Sequence, residues 1–320
     1  MNMAKSTGLG KTGTKVQNLK RLVLFSGLLL FVLSSCTSNK PVVKQSYYDL
    51  YLRDTIPYTL ASHEEVSENL LIFLPPALDT VEFEKTDLYK EIFDAGYDIL
   101  CIYQPPAEGQ FFYSRKSMDF KGQHIQNTQN LISMLSKKKQ IAKSRHTILM
   151  GIEQGAYMTP LLMANNGIDT AIFINASPFS MYLSMQRIAS GKVEWTEKRQ
   201  AYIDAKFGID SLHVFKQKVE EVESLSSDLY SLGRFTNMYW LSYHANYMLD
   251  DYRQTPGYTF WVNFEDYPFF KQSDWEYLQL LDKTKAKGGG EYHLLQNYQS
   301  FSPENWEQLE EVILPFLIID

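Results

Sequence analysis

Four continuous apolar runs punctuate the chain between residues 69 and 175. Asn69–Leu74 (NLLIFL) ends at Pro75-Pro76, and Tyr97–Tyr103 (YDILCIY) ends near Pro105-Pro106. His146–Met150 (HTILM) runs into a glycine, and Ala171–Asn175 (AIFIN) stops before Ser177-Pro178. Each run is short and bounded by turn formers, and none alternates apolar with polar. That pattern predicts strands of a sheet covered on both faces. Tyr47–Leu52 and Tyr58–Ala61 predict short amphipathic strands, and Tyr258–Phe264 and Glu291–Tyr298 predict two late ones.

Between the runs the period lengthens to that of a helix. Glu84–Ala95 repeats Leu88, Ile92 and Phe93, and Gln123–Lys139 repeats Ile125, Leu131, Ile132 and Leu135. Tyr157–Ala164 predicts a helix that Pro160 can kink. The last helix is the best marked: Ser302 suits its N-cap and Pro303 its first turn, and Trp306, Leu309, Ile313 and Phe316 form one stripe. Strand and helix alternate from residue 69 to residue 175, which predicts an α/β fold with a mostly parallel sheet flanked by helices. Residues from about 181 to 254 break the alternation as a helical insert, with Val219, Val222, Leu229 and Leu232 as a stripe. Its clustered aromatics, Phe235, Tyr239, Trp240, Tyr243 and Tyr247, read first as the insert's own core and second as a cap lining a pocket.

Composition alters the picture at the N-terminus. Five basic residues (Lys5, Lys11, Lys15, Lys20, Arg21) precede the uncharged apolar run Leu22–Ser35, which is short for a membrane span and suited to a signal peptide. The run ends in Leu33-Ser34-Ser35-Cys36, which resembles the bacterial lipobox. The resemblance implies cleavage before Cys36, lipidation of its thiol, and a lipoprotein anchored in the bacterial envelope, with the periplasmic side favoured. On this reading residues 1–35 are the signal peptide, 36–45 the lipidated cysteine and tether, and 46–320 the folded domain. Removing residues 1–35 takes five basic residues and no acidic one, so 26 basic residues face 37 acidic ones, a net charge of −11 against −6 for the whole chain. Such a domain has no electrostatic case for nucleic acid, and its membrane contact is expected through the lipid alone. The one other cysteine, Cys101, lies in an apolar run and reads as a small buried hydrophobe. No His/Asp/Glu set has metal-ligand spacing, and Gly288-Gly289-Gly290 precedes a strand rather than a helix, so no metal and no cofactor is expected.

The run at 146–150 continues as Gly151-Ile152-Glu153-Gln154-Gly155-Ala156. Strand, Gly-x-x-x-Gly turn, small residue and helix in that order resemble the nucleophile elbow of the α/β-hydrolase superfamily, whose usual form is G-x-S-x-G. The order of the other elements is similar to that family over roughly residues 47–320: Asn69–Ala77 as strand and oxyanion loop, Gly96–Pro106 as the next strand, Ala171–Pro178 after the elbow, the insert as a lid, and Tyr258–Asp266 as the strand bearing the acid. The resemblance implies the fold. It places Glu153 at the nucleophile position, Asp266 (beside Glu265) at the acid position, and Gln154 and Ala77 as the oxyanion donors; a binding pocket there is expected to be lined by Glu153, Tyr103 or Gln104, and cap aromatics.

Glu153 cannot serve as the family's serine, although an elbow carboxylate leaves a covalent or general-base role conceivable. The loop expected to carry the histidine base, Gln299-Ser300-Phe301-Ser302, has none. His293 precedes that loop, and His63, His124, His146 and His213 also lie elsewhere; only His244, in the insert, merits a check for pocket exposure. Pro75 and Pro76 offer no N–H to an oxyanion, and a carboxylate at 153 would repel one. The expectation is therefore a degenerate site that binds a small ligand or an envelope protein without turnover. The alternative is an atypical, esterase-like hydrolase using Glu153.

Overall fold

In the computed structural model, residues 45–49, 54–76, 81–103, 120–142, 146–226, 229–233, 235–244, 252, 257–282 and 289–318 are described. Among them eight strands form one sheet: β1 (Gln45–Asp49), β2 (Asp54–Ala61), β3 (Asn69–Leu74), β4 (Tyr97–Ile102), β5 (His146–Ile152), β6 (Thr170–Ile174), β7 (Tyr258–Phe264) and β8 (Gly290–Leu295). Their spatial order is β1-β2-β4-β3-β5-β6-β7-β8. β2 runs antiparallel to β1 and β4, and every pair from β4 to β8 is parallel. β4 is buried throughout, and β3 and β7 throughout beyond their first residues, because helices cover both faces.

The helices follow from their sequence signals. α1 (Asp87–Asp94) starts at Thr86, whose hydroxyl accepts the N–H of Tyr89, and buries Leu88 and Ile92. α2 (Phe120–Lys137) and α3 (Gln154–Asn166) flank β5, and α3 runs through Pro160. After β6 come α4 (Met181–Ala189), α5 (Glu197–Phe207), α6 (Leu212–Ser224) and α7 (Asn237–His244), which make up the cap. α8 (Gln272–Asp282) precedes β8, and α9 (Pro303–Leu317) follows it with Ser302 accepting the N–H of Asn305.

The cap aromatics do pack as the cap's own core. Phe235 stacks on Tyr239 with centroids 4.1 Å apart, Trp240 meets both edge-on, and its Nε1 donates to the Leu232 carbonyl. Three expectations need correction. The expected stripe ends with α6 at Ser224: Val219 and Val222 are buried on it, whereas beyond it Leu229 is exposed and Leu232 is buried off the helix. β1 begins at Gln45 rather than Tyr47, and residues 50–52 of the expected strand lie outside the described residues. β8 stops at Leu295, since Asn297 takes a left-handed φ of 59° and turns the chain out of the sheet, so Tyr298 sits in a loop. The side chains of Tyr243 and His244 lie outside the described residues, as do Tyr247, Cys36, Ala77 and Gln104.

Candidate functional site

The elbow has the backbone its sequence predicts. Glu153 sits at φ 51°, ψ −113°, between the end of β5 and the start of α3, an arrangement that a non-glycine residue holds only under strain from its surroundings. Its N–H donates to the Ile174 carbonyl at 2.9 Å, and its own carbonyl accepts the N–H of Ala156 at 3.0 Å. The flanking glycines are there for space. A Cβ on Gly151 would lie 2.6 Å from Thr159 Oγ1 and 2.7 Å from the Ala156 backbone. A Cβ on Gly155 would lie 2.0 Å from the Leu74 carbonyl oxygen, which closes α3 onto the end of β3.

The Glu153 side chain points inward and is fully buried. Its Oε1 accepts the hydroxyl of Tyr298 at 3.1 Å, while Oε2 and the nearby Tyr267 hydroxyl have no hydrogen-bond partner. Burial pushes the Glu153 carboxyl up to about 7, against smaller opposing pulls from the hydroxyls of Tyr298 and Tyr267. Tyr267 thus stands close enough to favour the anion without reaching hydrogen-bond geometry. Tyr157 on α3 and Tyr202 on α5 complete the surround, and burial, reinforced by the Glu153 charge, raises all four phenols above their ordinary value. The rings of Tyr202, Tyr267 and Tyr298 pack on one another with centroids 5.2 to 6.4 Å apart. Side chains therefore fill the space beside the carboxylate, which counts against an open small-molecule pocket at that point.

Tyr298 is the residue the sequence reading missed. It occupies the loop after the last strand, where the family carries its histidine, and it had been placed inside β8. A search for histidine alone could not find it; the signal available was an aromatic polar residue beside Asn297, a residue type that tolerates left-handed backbone. Asp266, at the acid position, is half-buried and touches the same loop: its Oδ1 accepts the backbone N–H of Tyr298 at 2.9 Å, and its Oδ2 pairs with Lys198 of α5. Asp266, Tyr298 and Glu153 are thus linked through the Tyr298 backbone N–H and hydroxyl, a phenol between two carboxyls. Glu265 is exposed, and its N–H donates to the Leu295 carbonyl.

Two asparagines hold the floor. Asn175, at φ 51° just past β6, accepts the N–H of Phe264, and Asn263 clasps Ala176 through both its N–H and its carbonyl. Gln154 is buried and its Nε2 donates to Met181 Sδ, so its side chain faces the cap. β3 ends in buried Pro75 and Pro76, neither with an N–H to offer.

Among the described side chains, five histidines make no contact with Glu153. His63 bridges Asp98 and the Phe93 carbonyl, and His293 faces Glu291 on β8. His146 and His213 are exposed, and burial lowers His124 to about 4, which keeps it neutral. Among the described residues no group of His, Cys, Asp and Glu is arranged to hold a metal ion, and no helix is long and apolar enough to cross a membrane.

With this geometry in hand, comparison with known proteins is informative about the fold. No family model matches the chain, and no curated protein matches it by sequence. Solved structures do. A carboxylesterase structure from the ammonia-oxidizing thaumarchaeon Nitrososphaera gargenis is similar at 12% identity and a TM-score of 0.56, over 85% of this chain and 97% of that one. A thermostable carboxyl esterase from Bacillus coagulans is similar at 10% identity and a TM-score of 0.56, over 87% and 99%. A lipase in an open form is similar at 10% identity and a TM-score of 0.59, over 86% and 98%. The chain has the α/β-hydrolase fold, a mostly parallel sheet flanked by helices.

Proposed function

We propose that this protein is a lipid-anchored member of the bacterial envelope whose α/β-hydrolase-fold domain binds a ligand or partner protein without turning it over. One observation carries the absence of turnover in this reading: the elbow carboxylate is sealed beneath four tyrosines, and the loop after β8, where a histidine base was expected, offers a phenol that donates a hydrogen bond to that carboxylate. A general base needs a proton affinity near the working pH. The Tyr298 hydroxyl is raised further from neutrality by burial, so it stays protonated and does not act as a base. With a carboxylate at the elbow and prolines after β3, a developing oxyanion would meet repulsion and few N–H donors.

A second reading keeps catalysis. The Glu153 carboxyl at about 7 lies where a general base or nucleophile works, and its Oε2 is uncommitted. Hydrolysis of short aryl esters by the full chain, beside Glu153→Gln and Tyr298→Phe, separates the two. No turnover by any of the three is the expected result. Turnover by the native chain that disappears in Glu153→Gln overturns the non-catalytic reading. The anchor has its own test: labelled palmitate should enter the native chain and not Cys36→Ala.

A further inference from the structure

Among the described residues Glu153 has no cation to answer its charge. The elements packed around it each present one phenol: Tyr157 from α3, Tyr202 from α5, Tyr267 from the loop after β7 and Tyr298 from the loop after β8. The basic groups nearby are engaged elsewhere. Lys198 pairs with Asp266, Arg199 donates to the carbonyls of Pro268 and Glu194, and Arg187 holds Asp274 through two bonds of 2.9 and 2.8 Å. Lys206 lies over the outer side of the cluster, 5.4 Å from the Tyr202 ring centroid. An anion at 153 would therefore be buried with a single hydrogen bond and one bare oxygen, a state that favours any rearrangement admitting water.

The cap contains an element able to make that rearrangement. α4 is fixed to α8 by the Arg187–Asp274 pair, whose side chains are only 15% and 3% exposed. α5, which carries Tyr202 over the carboxylate and buries Ile203, is held to the loop after β7 by the Arg199 bond to the Pro268 carbonyl and by the Lys198–Asp266 pair, 49% and 30% exposed, where ion pairs contribute little. Glycines with left-handed backbone flank α5 on both sides, Gly191 at φ 76° and Gly208 at φ 66°, and neither is crowded. Such joints can absorb the backbone rotation of a hinged helix.

We propose that α5 is a proton-gated lid: a proton on Glu153 keeps α5 closed over the elbow, and loss of that proton lifts it to expose the carboxylate and its tyrosines. This rests on the binding reading above, since the lifted state is the one that admits a ligand. The direction follows from the environments. In the lifted state the carboxyl is solvated and ionises from about 4.5, whereas in the closed state it holds its proton to about 7. Opening is therefore favoured progressively as pH rises between those values and levels off above them, by on the order of a hundredfold in the open-to-closed ratio.

Hydrogen exchange of the full chain in detergent, corrected for the intrinsic pH dependence of exchange, tests this. Opening measured over 197–207 should rise with pH in the native chain and stay flat, at its low-pH level, in Glu153→Gln, while exchange over 303–317 is the same in both. Equal pH dependence in native and variant overturns the proposal. If Glu153→Gln loses protection over 303–317 as well, Tyr298→Phe decides instead. Removing the donor that favours the anion should carry the rise to higher pH, and an unchanged pH range overturns the proposal. Ester turnover bears on the binding reading and not on the exchange profile, so either idea can fail without the other.

Discussion

The sheet carries a buried carboxylate near each end, and the two are treated in opposite ways. Asp98, at the start of β4, accepts three hydrogen bonds from the His63 N–H, the His63 ring and the Ser67 N–H, at 2.9 to 3.0 Å. The His63 ring in turn stacks on Phe93 at 4.2 Å and its other nitrogen meets the Phe93 carbonyl. Glu153, at the opposite end, accepts one hydrogen bond and keeps a bare oxygen. A satisfied buried carboxylate is a fastener: it closes the β2–β3 connection onto β4. An unsatisfied one is held in place by the packing around it and is free to change its charge. That contrast separates the two ends of the sheet by how each treats a buried charge.

The largest effect expected from the contrast is at Asp98. Asp98→Ala leaves two backbone N–H groups and an imidazole without their acceptor in a buried place, and should cost about 3–5 kcal/mol in denaturant unfolding. Glu153→Gln, by comparison, should be neutral at low pH. A loss at Glu153 as large as the loss at Asp98, measured at pH about 5, would erase the distinction.

Next in size is the pH dependence of stability set by Glu153. Its folded-state value is raised, so its stabilising contribution is complete below the unfolded value of 4.5 and is lost as pH climbs to about 7. The full loss is about 3 kcal/mol if the elbow stays closed, and less if α5 lifts to solvate the charge. Melting temperature against pH should therefore fall across that window in the native chain, and Glu153→Gln should remove the fall. A native profile that rises there would put another titrating group in control.

The strand-helix alternation, the Gly151–Gly155 elbow and the Ser302 cap were legible because each depends on neighbours in sequence: period, turn residues, local capping. The site was half legible. Glu153 and Asp266 announce themselves by position in the ordered elements, but the partner of Glu153 does not. Tyr298 lies 145 residues away and its role depends on β8 ending early at Asn297, a boundary that a run of apolar and aromatic residues conceals. The closing of the site by Tyr202 and Tyr267 was also hidden, since side chains from a cap helix and a loop meet only in three dimensions. Asp98 was invisible for the same reason: in sequence it is one polar residue in a strand, and its donors come from His63 and Ser67 across the sheet edge.

Local capping supplies a smaller calibrating effect at neither carboxylate. Ser302→Ala removes the acceptor for the Asn305 N–H at the start of α9 and should cost about 1 kcal/mol. This substitution should leave the pH profile of stability unchanged, and a changed profile would mean that α9 communicates with the Tyr298 loop. Such a route exists in outline, because Asn305 accepts the N–H of Gln299 and donates to the Asn297 carbonyl.

The smallest effect should come from Lys198→Met. The pair with Asp266 is half in water, so its loss should change global stability by less than about 1 kcal/mol. Asp266 keeps its bond to the Tyr298 backbone and needs no cation to do so. What should change is local, with the end of α5 exchanging faster at every pH. If Lys198→Met instead destabilises the whole domain by as much as Asp98→Ala, then Asp266 is a fastener of the same kind as Asp98. The two ends of the sheet would then differ only at Glu153 itself.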